Sequence, residues 1–267
     1  MKGIINFGSI WRRSLKAMGV YSKWLIWQQR NMPDQKMKKM IGLYSNFVSP
    51  GDLCFDIGAN IGSRIATFLV LKAKVVALEP QEKCYAELKR NFKNDPVTIV
   101  SKGAGSVNEV KDFYVADDSL LSSFSPEFIE GQKSGHFKNN DWSRVEQVEI
   151  TTLDSLIAEY GMPQFIKIDT EGFELEVLKG LSKKVKALSF EYTLPHQSAQ
   201  AAECVEAIDQ LYNGKVEYNM SRDEAYAFKF PDWVNSTRLL ELLRSENFNT
   251  SNFGLYGDVY ARTLSAS

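Results

Sequence analysis

Histidine is nearly missing from this 267-residue chain, which has two, and cysteine is scarce, with three. Cys54, Cys84 and Cys204 are odd in number and lack the close spacing of a zinc or redox motif, so they read as reduced thiols. No uninterrupted run of about eighteen apolar residues occurs, which argues against a membrane-spanning helix. The N-terminus also lacks an apolar stretch ending in a small-residue cleavage site. The resulting expectation is a cytoplasmic protein, with peripheral attachment at the inner membrane face as a further reading. Apolar residues at 44% and charged residues at 24% match ordinary globular composition and exclude a fibrous or disordered chain.

What is present is unevenly distributed. The net charge of −1 hides a basic start, in which Lys2, Arg12, Arg13, Lys16, Lys23, Arg30, Lys36, Lys38 and Lys39 face Asp34 alone. Trp11, Trp24 and Trp27 are interleaved with them. Residues 1–48 therefore read as a basic, Trp-rich helical segment, appended to a domain spanning residues 49–267. Such a segment suits the phosphates of an anionic membrane or of nucleic acid; the alternative is a helical cap whose aromatics pack on the domain.

Helical spacing is expected from about Ile10 to Gln29 and again after Pro33, through Met37, Met40, Ile41, Tyr44 and Val48. Beyond Ser49-Pro50-Gly51-Asp52, strands and helices alternate, the signature of a parallel sheet covered on both faces. Strands are expected at Leu53 to Ile57, Val75 to Leu78, Val97 to Val100, Val110 to Val115, Val148 to Leu153, Phe165 to Ile168 and Ala187 to Glu191. Others are expected near Lys215 to Met220, Ala225 to Phe230 and Asp258 to Leu264. Ala116 to Arg144 is polar and too long for an ordinary connection, and reads as a lid or binding loop.

A parallel sheet binds its ligand at the carboxyl ends of its strands, where the strand order reverses. Asp56-Ile57-Gly58-Ala59-Asn60-Ile61-Gly62 occupies such a turn. Gly58 permits close backbone approach, Gly62 a tight start to the next helix, and Asn60 hydrogen bonds that hold the loop. The pattern D-x-G-x-N-x-G departs from the G-x-G-x-x-G that a pyrophosphate requires, and Asp56 suits a ligand carrying an amino group. Glu79 follows Gly58 by about twenty residues, where an acid accepts the hydroxyls of a ribose. Together they specify an adenosine-type ligand.

These residues bring the chain close to a known family. Pro50-Gly51-Asp52 before the turn, Ala77-Leu78-Glu79-Pro80, Thr152-Leu153-Asp154, the run Ile166 to Gly180 containing Lys167-Ile168-Asp169-Thr170-Glu171-Gly172, and Phe190-Glu191 resemble the FkbM-type methyltransferases. The resemblance covers roughly Ser49 to Pro195. It implies a doubly wound α/β fold with a mostly parallel seven-stranded sheet and an antiparallel last strand. It further implies S-adenosylmethionine as methyl donor and a hydroxyl acceptor on a sugar, glycan or secondary metabolite. Asp56, Gly58, Asn60 and Gly62 would line the methionine side of the cofactor, Glu79 would hold the ribose, and Ala104 would lie near the adenine.

Oxygen methylation is an in-line displacement that needs an aligned hydroxyl and a group to remove its proton. Asp169 and Glu171, two apart after a strand, share a face if the chain stays extended, and are the candidate catalytic pair. The alternative is that they cap the next helix. Lys167 would lower their pKa or bind an acidic substrate, and Glu191 ends the neighbouring strand beside that substrate. A divalent metal is not favoured; if one binds, Asp169, Glu171 and Glu191 are its ligands. His196 and His136 are further candidate bases. Two other functions remain open: an RNA-directed methyltransferase, disfavoured by the acidic body, and a membrane-docked scaffold that binds the cofactor without catalysis.

Overall fold

The structure, a computed structural model, describes residues 26–28, 30, 32–134 and 140–264. Most of the expected first helix, including Trp11 and Trp24, and also His136, lie outside the described residues. In chain order, α1 (Gln35–Tyr44) leads into β1 (Leu53–Ile57), α2 (Ser63–Val70), β2 (Lys74–Leu78), α3 (Glu82–Asn91) and β3 (Val97–Val100). Then come β4 (Gly103–Ala104), β5 (Glu109–Val115), α4 (Pro126–Ser134), β6 (Arg144–Thr151), α5 (Leu153–Tyr160), β7 (Phe165–Ile168) and α6 (Glu174–Lys179). The chain continues through β8 (Ala187–Thr193), α7 (Ser198–Tyr212), β9 (Val216–Met220), α8 (Ser236–Leu243), α9 (Thr250–Phe253) and β10 (Tyr256–Thr263).

Seven strands form one sheet in the order β3-β2-β1-β7-β8-β10-β9. The first five pair in parallel, and β10 runs antiparallel to both of its neighbours, as the expected fold class requires. The order reverses between β1 and β7, so the crevice above their carboxyl ends is the place for a ligand. Side chains alternate across these strands with period two. Phe55, Ile57, Ile166, Ile168, Leu188 and Phe190 face one core with α5, α6 and α7, whereas Cys54, Val75, Ala77, Phe165 and Ala187 face the other with α1 and α2. Each fully buried Phe or Ile contributes roughly 1.5–3 kcal/mol through lost apolar surface.

The helix α1 starts where Asp34 accepts a hydrogen bond from the Met37 amide at 2.8 Å, and buries Met37, Met40, Leu43 and Tyr44. Phe47, just beyond, stacks between Phe165 and Tyr260 at 5.0 and 5.6 Å. The second half of the N-terminal segment is thus packed on the sheet.

Two expectations need correction. The stretch from Ala116 to Arg144 is not one long loop: it carries a 3-10 turn at Ser119–Leu121 and the helix α4, whose Phe128 and Ile129 are buried with Trp142. Gly103–Ala104 joins β5 and β6 in a separate three-stranded sheet. Ala225 to Phe230 is not a strand. There the Asn219 side chain takes the place of a ladder, accepting from the Phe230 amide at 3.1 Å and donating to its carbonyl at 3.0 Å.

Candidate active site

The turn after β1 is built around the reversal of strand order. The Leu78 carbonyl accepts from the Gly58 and Ala59 amides at 3.0 and 2.9 Å, which turns the chain back over β2. Gly58 has φ +85°, and a Cβ there would stand 1.7 Å from the Asp169 carbonyl oxygen. Its bareness therefore serves the approach of β1 to β7, and Gly58 also lies on the wall of the cavity above the strand ends. Gly62, at φ +90°, leaves room for the Phe92 ring and Leu88 of α3 and lines no cavity. Asp56 is buried, stays off the cavity wall, and has one carboxylate oxygen without a hydrogen-bond partner. Burial, opposed by Arg64 and Lys167, raises its pKa to about 7.

Glu79, at the end of β2, is 2% exposed. Its two oxygens accept from the Asn60 amide at 2.7 Å and the Gln81 amide at 2.8 Å, so one carboxylate fastens two turns together. Burial raises its pKa to about 7 in spite of those hydrogen bonds. The Asn60 amide group donates to Ser119 at 3.3 Å, and Gln81 donates to the Ser119 carbonyl at 3.0 Å, which brings the segment after β5 onto the site.

Beyond β7 the chain does not stay extended. Glu171 has φ +52°, a left-handed conformation uncommon for such a residue. The turn is held by Glu174, which accepts from the Thr170 amide at 2.8 Å and the Gly172 amide at 3.1 Å, and by Ser123, which donates to the Glu171 carbonyl at 2.6 Å. No side chain hydrogen-bonds as the N-cap of α6. Asp169 and Glu171 therefore do not cap that helix; they converge because the backbone turns, not because a strand repeats every two residues. With Glu191 on β8 they offer carboxylate oxygens within 4.8 Å of one another.

The three carboxyls differ in charge. Burial works to raise Asp169, but Lys167 and Arg64 outweigh it and hold Asp169 below the usual carboxylate range. Burial, then the charges of Asp169 and its acidic neighbours, push Glu171 and Glu191 well above that range. The Glu191 carboxyl hydrogen-bonds Asp169, so an ionised member sits beside protonated ones.

A cavity of about 600 Å³ opens above these strand ends. Gly58, Asn60, Glu79, Ala104, Asp169, Glu171 and Glu191 all line it. Lys167 does not: it has no solvent exposure and contacts Asp169 and Asp258, so of its two expected roles it lowers the pKa of Asp169 and does not reach a substrate. His196 is exposed, packs beside Gly131 of α4 and is absent from the cavity wall, which leaves it poorly placed as a base.

Sequence reasoning missed part of this wall. Asp34, Lys36, Met37 and Met40 of the N-terminal segment, Arg64 on α2, and Tyr226 and Tyr256 also line the cavity. Only Arg64 left a signal, as a charge among the apolar Ile65, Ala66 and Phe68 of a core-facing helix.

Residues 56–233 match the Methyltransferase FkbM domain. The chain is similar to a hexuronic acid methyltransferase, AglP, of Haloferax volcanii, with 25% identity over 203 residues that make up 75% of this chain and 79% of the relative. Among solved structures it is similar to a precorrin-6y C5,15-methyltransferase from Geobacter metallireducens, at TM-score 0.43 and 11% identity over 88% of this chain and 92% of that one. An rRNA methylase from Streptococcus thermophilus gives TM-score 0.45 and 10% identity over 88% and 99%. The domain match spans most of the alternating α/β region, including the glycine turn, the acid that ends β2 and the carboxylates after β7 and β8. The chain belongs to the FkbM methyltransferase domain family and is an S-adenosylmethionine-dependent methyltransferase.

Proposed function

We propose that the protein O-methylates a hydroxyl of a sugar or glycan, with acidic sugars of the hexuronic type as its leading acceptor class. The observation that carries this reading is the meeting of Asp169, Glu171 and Glu191 in the same cavity as Glu79 and Asn60. The similarity to a hexuronic acid methyltransferase supports the acceptor class.

The residues present fit the cofactor. The cavity volume is within the range of small-molecule sites, and its wall includes a buried carboxylate for a ribose at Glu79, the glycines Gly58 and Gly103, and the small side chain of Ala104. Asn60, through its amide bond to Glu79, keeps that carboxylate oriented. Gly62 supports the turn from behind through packing, and Asp56 lies buried beneath it, its pKa raised to about 7 by burial. When bound, the cofactor supplies an electrophilic methyl group. Asp169, held ionised by Lys167, accepts the hydrogen bond of the acceptor hydroxyl and takes its proton at the carboxylate. Glu171 and Glu191 keep their protons to higher pH and position the hydroxyl beside it. The three titrate as a unit.

A second reading rests on the same geometry: three oxygen donors within 4.8 Å suit a hard divalent cation. Incubation with methyl-labelled S-adenosylmethionine and a panel of hexuronates, neutral sugars and RNA, with and without a chelator, tests both readings. Label in a hexuronate regardless of chelator is the expected result; loss of transfer on chelation makes the trio cation ligands, and labelled RNA in place of sugar overturns the acceptor class.

The basic segment at residues 1–48 is proposed to contact an anionic membrane on the cytoplasmic side and so reach a lipid-linked acceptor. Among the described residues no helix is long and apolar enough to cross a membrane. Co-sedimentation with anionic vesicles that disappears at high salt is the expected behaviour; equal binding to neutral vesicles, or none, contradicts it.

A further inference from the structure

Arg64 is a cation in search of an anion. Its Nε is buried without a hydrogen-bond partner, and its Nη1 meets only the Met40 sulfur at 3.7 Å and the Ser63 hydroxyl at 3.3 Å. Among the described residues no carboxylate forms an ion pair with it. The other described arginines either pair with an acid, as Arg30 does with Asp95 and Arg262 with Glu217, or lie exposed, as Arg222 does. Of the nearby acids, Asp169 and Asp258 are engaged by the ammonium of Lys167 at 3.1 and 2.9 Å, and the buried Asp56 feels the charge of Arg64 without forming an ion pair or hydrogen bond with it.

Its surroundings fix the guanidinium rather than neutralise it. The Tyr226 ring lies 5.6 Å from its central carbon, Met40 of α1 packs beside it, and all three residues line the cavity. A ring face and a thioether stabilise a cation without using up its fork of donors. A half-buried arginine held in this way, with its Nε shielded from water, is matched by a planar anion that accepts two parallel hydrogen bonds.

We propose that Arg64 is the anchor for a ligand carboxylate at the end of the cavity closed by α1 and Tyr226. This rests on the methyltransferase reading for its two sources, the amino-acid carboxylate of the cofactor and the carboxylate of a hexuronic acceptor. Both present the same group to the same donors, and binding measurements separate them.

The test is calorimetry on the full chain and on Arg64→Met and Arg64→Lys, with folding checked by thermal melting. The probes form two pairs that differ by a carboxylate: S-adenosylhomocysteine with methylthioadenosine, and glucuronate with glucose. Arg64→Met should weaken one carboxylate-bearing probe by about 10–100-fold and leave its partner unchanged, as expected for loss of a charged hydrogen-bond pair. A loss confined to S-adenosylhomocysteine identifies the cofactor as the source, and one confined to glucuronate identifies the acceptor. Arg64→Lys keeps the charge without the fork and should show a smaller loss in the same arm; it also decides the matter if the Met variant does not fold. Unchanged affinities in a folded variant, or equal losses for both members of a pair, overturn the proposal. A wild-type chain that binds no S-adenosylhomocysteine contradicts the methyltransferase reading instead, and the glucuronate arm, run without cofactor, still decides for or against Arg64.

Discussion

The Lys167 ammonium, with no solvent exposure, lies 3.1 Å from the Asp169 carboxylate. It also donates to the Ile168 carbonyl at 3.1 Å and pairs with Asp258 at 2.9 Å, so its three donors are all used. The pair ties the base of the acidic cluster to the sheet and keeps Asp169 ionised where burial alone would protonate it.

Removing the ammonium should therefore be costly. Lys167→Met leaves the buried Asp258 carboxylate and the partly exposed Asp169 carboxylate without their shared ammonium, and is expected to destabilise the fold by about 3 kcal/mol. Denaturant unfolding measures this. A loss below about 1 kcal/mol would mean that solvent reaches the pair and that Asp169 does not depend on it.

Gly58→Ala should be far worse than Gly51→Ala, although both glycines have positive φ. At Gly51 nothing lies within 4 Å of an added methyl, so only the backbone conformation is penalised, by about 1–2 kcal/mol. At Gly58 the methyl collides with the Asp169 carbonyl, and β1 and β7 must separate, at a cost above about 3 kcal/mol. Equal melting temperatures for the two variants would show that the strand crossing is not tight.

Cofactor affinity should depend on pH through Glu79. In the free protein its carboxyl holds a proton up to about 7. Ribose hydroxyls donating to it favour the ionised form, so its pKa falls on binding and the complex carries fewer protons than the free protein. Affinity for S-adenosylhomocysteine must then rise with pH and level off above about 7. Glu79→Gln should flatten this slope and weaken binding by roughly 1–3 kcal/mol. Calorimetry between about pH 5 and about pH 8 decides it; a constant affinity in the wild type would place the ribose elsewhere.

Much of the fold was legible because its signals are local. Apolar runs bounded by turn residues gave β1, β3 and β7 to the residue, and Gly58 and Gly62 marked the turn between β1 and α2. The meeting of Asp169 and Glu191 was legible because both lie near the carboxyl ends of adjacent parallel strands, whereas Glu171 joins them through a left-handed turn that the spacing did not foretell. Lys167 was legible as a cation that lowers the pKa of Asp169, but its full burial was not, because its salt bridge to Asp258 comes from β10, remote in sequence. α4 was missed because its few apolar residues, Phe128 and Ile129, pack on Trp142 across a polar stretch and make no helical stripe. Arg64 was missed for a similar reason, since Met40 and Tyr226 come to it from opposite ends of the chain.

The central claim is that the carboxylate held by Lys167 acts on the acceptor. Asp169→Asn tests it most directly, with turnover measured on a hexuronate acceptor and S-adenosylhomocysteine affinity measured beside it. The amide keeps the shape but cannot take a proton, so the rate should fall by about 10²–10⁴-fold while cofactor affinity changes by less than about threefold. An Asp169→Asn variant that is folded, binds S-adenosylhomocysteine normally and methylates at the wild-type rate would contradict the account.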